Sequence, residues 1–113
     1  MRLVKYAADI KVLTEQIVTV AMVANTGSIG QSAGADSDWV VYPFSCEGTL
    51  PDAPEGASNL EISFLDCTVT PKFSTTSEPV VTLDGKTVKV NGTGMDADRD
   101  LFITVRYQYK YFI

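Results

Sequence analysis

Leu101-Phe-Ile-Thr-Val-Arg-Tyr-Gln-Tyr-Lys-Tyr-Phe-Ile113 is the stretch that decides the fold. Its odd positions read Leu101, Ile103, Val105, Tyr107, Tyr109, Tyr111 and Ile113. Between them fall Thr104, Arg106, Gln108 and Lys110. Alternation with period two is the pattern of a long strand with one buried face, because successive side chains leave opposite sides of a strand. Aromatic and β-branched residues fit such a surface. Phe102 and Phe112 interrupt the polar face at its two ends and are candidates for contact with a neighbouring element or partner.

Upstream, Pro79-Val-Val-Thr-Leu83 and Lys86-Thr-Val-Lys-Val-Asn91 flank Asp84-Gly85. Asp-Gly between two β-rich runs predicts a type I′ hairpin. That turn pairs Leu83 with Lys86, Val81 with Val88 and Pro79 with Val90, and places Val81, Leu83, Val88 and Val90 on one side. Residues 91–100 then read as a loop. Residues 60–69 read as a strand with Leu60, Ile62 and Phe64 on one face and Leu65, Cys67 and Val69 on the other. Two apolar faces predict a central position between layers. Residues 39–44 form a shorter strand, which Pro43 confines to an edge or ends early.

Residues 7–24 admit two readings. Ile10, Leu13, Ile17, Val20 and Ala24 recur at helical spacing. The β-branched run at 17–23 favours a strand, since Ile, Val and Thr crowd a helix surface. Residues 2–6 could add another strand. Residues 25–38 and 50–59, rich in Gly, Ser, Pro and Asp, read as loops. The expected architecture is one all-β domain over 1–113: an antiparallel β-sandwich, immunoglobulin-like or jelly-roll-like, with a small β-barrel as the alternative.

At 113 residues and 45% apolar content, the chain can bury a core without metal or disulfide staples. Its net charge of −5 argues against a nucleic-acid partner. No apolar run approaches the roughly 20 residues of a membrane span. Residues 12–24 contain Glu15 and Gln16, which argues against a cleaved signal. A virion or cytoplasmic location is expected. No Lys or Arg lies between Lys11 and Lys72, a stretch holding eight acids. That asymmetry reads either as solvated loops or as a bipolar domain that orients against a second copy. Cys46 and Cys67 are expected as reduced thiols; a bridge would need Cα atoms within about 7 Å.

No catalytic set is legible. The chain has no histidine, which removes the commonest general base and metal ligand. Asp96, Asp98 and Asp100 alternate as in a calcium loop, but Leu101 stands where that loop needs Gly and Tyr107 where it needs Glu. They read as a solvated turn. Gly27-Ser-Ile-Gly-Gln-Ser-Ala-Gly34 lacks the Gly-Lys-Ser/Thr ending of a phosphate loop. Asn91-Gly92-Thr93 is a glycosylation sequon that matters only after secretion. No enzyme activity, cofactor or metal is expected. The candidate binding residues are aromatic: Trp39, Tyr42 and Phe44 after the Gly-rich loop, with Phe102 and Phe112 on the last strand.

Residues 86–97, Lys-Thr-Val-Lys-Val-Asn-Gly-Thr-Gly-Met-Asp-Ala, through Leu101-Phe-Ile-Thr-Val-Arg-Tyr107 resemble the closing strands of small immunoglobulin-like domains in phage virion and bacterial surface proteins. The antibody-type Cys-Trp-Cys order is not matched, because Trp39 precedes both cysteines. The resemblance implies an assembly or adhesion component. The expectation is a non-enzymatic structural protein that self-associates or docks on an assembly, such as a capsid-decorating or tail-associated virion component. The partners would be proteins, in a homo-oligomer or larger assembly, and neither nucleic acid nor membrane. The alternative is a carbohydrate- or surface-binding β-sandwich module.

Overall fold

The computed structural model describes residues 11–32, 40–70 and 78–113. These residues contain no helix and form seven strands: β1 (Leu13–Asn25), β2 (Gln31–Ser32), β3 (Val40–Thr49), β4 (Ser58–Thr70), β5 (Val80–Asp84), β6 (Thr87–Gly94) and β7 (Asp100–Phe112). Two antiparallel sheets result, ordered β1-β7-β4 and β2-β3-β6-β5. The fold is an all-β sandwich, as the alternation predicts.

β7 is the centre of the first sheet. It pairs without interruption with β1, from Leu13 opposite Phe112 to Asn25 opposite Asp100. Leu101, Ile103, Val105, Tyr107, Tyr109 and Tyr111 are all buried. Ile113, expected with them, lies past the strand and is exposed. Both edges of β7 are paired, and among the described residues the edge strands of this sheet are β1 and β4. β1 settles the reading of residues 13–24 as strand. Val18, Val20, Met22 and Ala24 point inward, opposite Tyr107, Val105, Ile103 and Leu101. Residues 2–6 and 7–10 lie outside the described residues.

The β5–β6 hairpin forms with its register moved by two residues. Asp84 pairs with Thr87, Leu83 with Val88 and Val81 with Val90. The loop is therefore Gly85-Lys86, with φ of +60° at Gly85 and no positive φ at Lys86. Glycine alone in the positive region at the first turn position is the type II′ pattern, which suits a right-handed strand twist as well as type I′ does. A shift of two residues preserves the side-chain face, so Val88 and Val90 still reach the core. β6 also runs to Gly94, shortening the expected loop to residues 95–99.

β4 departs further from expectation. Ile62 and Phe64 pair with Tyr109 and Tyr107, whereas Cys67 and Val69 pair with Val105 and Ile103. The register shifts between Phe64 and Asp66, where Leu65 is the extra residue of a β-bulge. One inserted residue restores the parity, so both apolar sets face the same interior. Among the described residues β4 is accordingly an edge strand, not a central one. A second irregularity between Ser58 and Glu61 includes Asn59 at φ +56°.

The two sheets approach closely along β1 and β3. A methyl group on Gly48 would lie 2.5 Å from Val20 Cγ1, so this position takes only glycine at the observed spacing. Phe44 lies across Gly92 in the same way on the neighbouring strand. Leu50 is buried where its N–H donates to the Lys86 carbonyl, 2.8 Å away, which ties the end of β3 to the hairpin.

The folded chain also undoes the charge separation seen along the sequence. Glu15 pairs with Lys110 and Glu47 with Lys89, each at 3.7 Å. Asp66 pairs with Arg106 and Asp52 with Lys86. Antiparallel neighbours bring the acidic middle of the chain beside the basic residues that follow it. Four of the eight acids in that stretch, Glu15, Glu47, Asp52 and Asp66, are thus paired within one molecule.

Candidate functional site

Thr26 organises the end of the sandwich where β1 meets β7. Its hydroxyl donates to the Asp96 carbonyl at 2.7 Å and accepts from the Arg99 N–H at 2.9 Å. The Thr26 N–H donates to the Arg99 carbonyl at 3.0 Å, and the Asp98 N–H to the Gly27 carbonyl at 2.7 Å. Asn25 donates to Asp100 at 2.8 Å and accepts from the Gly27 N–H. The alternating aspartates are thus parts of a stitched turn, with Asp96 also facing Arg99 at 3.5 Å. No cluster of three metal-ligating side chains occurs among the described residues. Thr26→Val keeps the shape but leaves the Arg99 N–H and the Asp96 carbonyl without this partner. A loss of about 1–3 kcal/mol in unfolding free energy is expected from urea titration.

The titratable groups of the core and its margin follow their surroundings. Burial pushes the Cys46 and Cys67 thiols above their ordinary value, and at Cys67 the nearby Cys46 and Asp66 add to it. Both are free and protonated at neutral pH, hence poor nucleophiles. Burial likewise raises Tyr107 and Tyr109. Hydrogen bonds from Arg106, at 2.9 and 3.1 Å from its Nε, hold Asp66 below the usual carboxylate range.

The aromatic candidates divide. Phe44 is 4% exposed and belongs to the core, which corrects its assignment to a binding surface. Tyr42 is half-buried beside Gly30, whose small size leaves room for its ring. Trp39 lies outside the described residues. Phe102 is exposed on the outer face of β7, opposite the equally exposed Val23. Phe112 lies at the other end of that face, half-buried opposite Leu13. Between these ends run Arg106, Gln108 and Lys110 with their partners Asp66 and Glu15. Phe102 and Phe112 therefore mark two separate apolar ends and do not form one site.

A second set of exposed apolar residues lies on β4 and β5. β1 and β3 close one side of the sandwich, but β4 and β5 make no comparable approach on the other. Phe64 faces inward, its ring edge-on to Tyr107 with centroids 5.7 Å apart, yet it remains 52% exposed. Leu83, on the inner face of β5, is 38% exposed. Leu60 and the bulge residue Leu65 are exposed along the same edge. Tyr109 donates to the Pro51 carbonyl at 2.6 Å, and Leu50 bonds Lys86, so the first half of β4 and the hairpin end of β5 share one end of the sandwich.

No family model, curated protein or solved structure matches the chain.

The open side was hidden in the sequence because it depends on strand order. The one available signal was Phe64-Leu65, two large apolar residues in succession that break period two. Glu55, Glu61, Glu78 and Asp84, on or beside the two edge strands, form no ion pair among the described residues. Among the described residues, β4 and β5 thus expose apolar side chains with these acids nearby, alongside Lys11, which donates to Ser58 at 3.4 Å.

Proposed function

We propose that this chain is a non-enzymatic structural protein that self-associates or docks on an assembly, of the kind that decorates a capsid or joins a tail in a phage virion. The observation carrying this reading is β4, a thirteen-residue edge strand that exposes apolar side chains on the open side. Bare strand edges pair readily with other chains, and proteins that remain single usually blunt them with charge, proline or very short strands. β4 has neither proline nor lysine along its length; Glu61, Asp66 and the bulge at Leu65 are what protect it. The likeness of residues 86–107 to the closing strands of virion and surface domains supports the class of assembly.

Because the ion pairs lie within one molecule, association should rest on strand pairing and apolar burial. It should therefore persist at high salt, where interactions between exposed charges are screened. Sedimentation velocity from micromolar to millimolar protein, at low and high salt, is expected to show a concentration-dependent shift to dimers or larger species. A strict monomer throughout would overturn the reading.

A further inference from the structure

Phe102 and Phe112 lie far apart on one molecule, but their spacing brings them together across two. We propose that the outer face of the β1-β7-β4 sheet packs against the same face of a second copy, with β7 antiparallel to its counterpart. This rests on the self-association reading and assigns it a surface other than the β4 edge.

The face is arranged evenly about its middle. Val23 opposite Phe102 makes one apolar end, Leu13 opposite Phe112 makes the other, and Val18 opposite Tyr107 lies midway between them. Val23, Phe102 and Leu13 are 60%, 59% and 49% exposed. The corresponding rows of β3 and β6 on the other sheet are polar: Ser45, Glu47 and Thr49 pair with Asn91, Lys89 and Thr87.

A two-fold axis across the strands at this midpoint lays Phe102 over Phe112 of the second copy, and Val23 over its Leu13. Apolar end meets apolar end twice. The charged row Glu15-Lys110-Glu61 falls over the uncharged row Ala21-Thr104-Thr68. Likewise Thr19-Arg106-Asp66 falls over Ile17-Gln108-Ser63. The alternative axis, along β7, sets Arg106 over Arg106, Lys110 over Lys110 and Glu15 over Glu61. Like charges brought face to face count against it.

Beyond the apolar ends the charges complement each other. Lys11 precedes Leu13 on the same face, exposed, with one ammonium proton on Ser58 at 3.4 Å. The two-fold brings it over Asn25 of the second copy, beside the Asp100 that pairs with Asn25. An ammonium has three protons to donate, and symmetry makes the contact twice. Such pairs orient a contact more than they strengthen it, so the apolar ends hold it at high salt. Three strands at about 4.8 Å, over the length from Leu13 to Val23 at about 3.3 Å per residue, cover roughly 500 Å² on each copy. A total of about 1,000 Å² is the lower limit for a specific interface and suits a weak, reversible dimer. Stacked sheets keep their strands within about 30° of each other, which long side chains such as Lys11 can span.

Sedimentation velocity on the full chain tests the arrangement with three variants, Phe102→Glu, Lys11→Glu and Asp100→Lys. The parent is expected to associate. Phe102→Glu changes only an exposed side chain and should weaken association at least about thirtyfold, because symmetry removes the anchor twice. Lys11→Glu and Asp100→Lys should each weaken it about three- to tenfold at low salt. Their equimolar mixture should recover the parent's association, since both contacts of the mixed pair then join opposite charges. Association unchanged by Phe102→Glu would overturn this inference and leave self-association standing. A mixture that associates no better than its components would overturn the antiparallel arrangement. A monomeric parent would overturn both readings.

Discussion

Val105→Asp is expected to abolish folding. Val105 is fully buried at the middle of the central strand, between Val20 on β1 and Cys67 on β4. The buried cluster to which it belongs, with Ile103, Tyr107, Val88 and Val90, contains no charged residue. An aspartate there must be held neutral. Raising a carboxyl from about 3.9 to above 7 costs roughly 4 kcal/mol at neutral pH, since each pKa unit is worth about 1.4 kcal/mol. Loss of the valine's burial adds about 1.5–3 kcal/mol. The sum is comparable to the whole stability of a domain, about 5–15 kcal/mol. Circular dichroism of the variant should show no cooperative thermal transition at pH 7. Val105→Thr, which adds a hydroxyl without charge, should still fold with a lowered Tm. A Val105→Asp protein that stays soluble and melts cooperatively would remove β7 from the centre of the core.

The alternation of residues 101–113 was enough to place this strand, because burial on one face of a sheet imposes parity on every side chain along it. The same rule made residues 60–69 misleading. Period two counts residues, whereas a bulge adds one without advancing the pairing, so Leu65 turned a single inner face into the semblance of two. The hairpin shows a milder version. A Gly-Lys loop and an Asp-Gly loop differ by two residues in register, and both keep Val81, Leu83, Val88 and Val90 together, so hydrophobic pattern could not choose between them. What sequence could not reach was strand order. Charge asymmetry along the chain suggested two opposed faces, but pairing β7 with β1 and β4 set Lys110 against Glu15 and Arg106 against Asp66. The open side between β4 and β5 arises from the same ordering, and Phe64 became a surface candidate only when its neighbours were known. The aromatic residues chosen for their position after a glycine-rich loop fared otherwise: Phe44 went to the core for ordinary reasons of burial, fitted over Gly92.

Tyr109→Ala is expected to be the most damaging truncation that still leaves a charge-free core. The ring is 1% exposed, and among the fully buried side chains it is the largest. Its hydroxyl donates to the Pro51 carbonyl at 2.6 Å, which fastens the loop between β3 and β4 to the central strand. Removing a buried aromatic side chain costs about 3–5 kcal/mol through lost transfer energy and the cavity left behind. Ile62, paired with Tyr109 on β4, is only half-buried and cannot fill that space without drawing the edge strand inward. Tyr109→Phe separates the two contributions. It retains the packing and deletes one hydrogen bond, for an expected loss of about 1–2 kcal/mol. Denaturant titration of both variants measures each loss, and amide exchange at Ala57, whose N–H bonds the Pro54 carbonyl at 3.1 Å, reports on the loop. Tyr109→Phe should loosen this loop while the central strand stays protected. Tyr109→Ala should lower protection in both. Equal losses from the two variants would mean that the hydroxyl, not the ring, holds this end of the sandwich together, and would assign the stability of the open side to the loop anchor instead of the core.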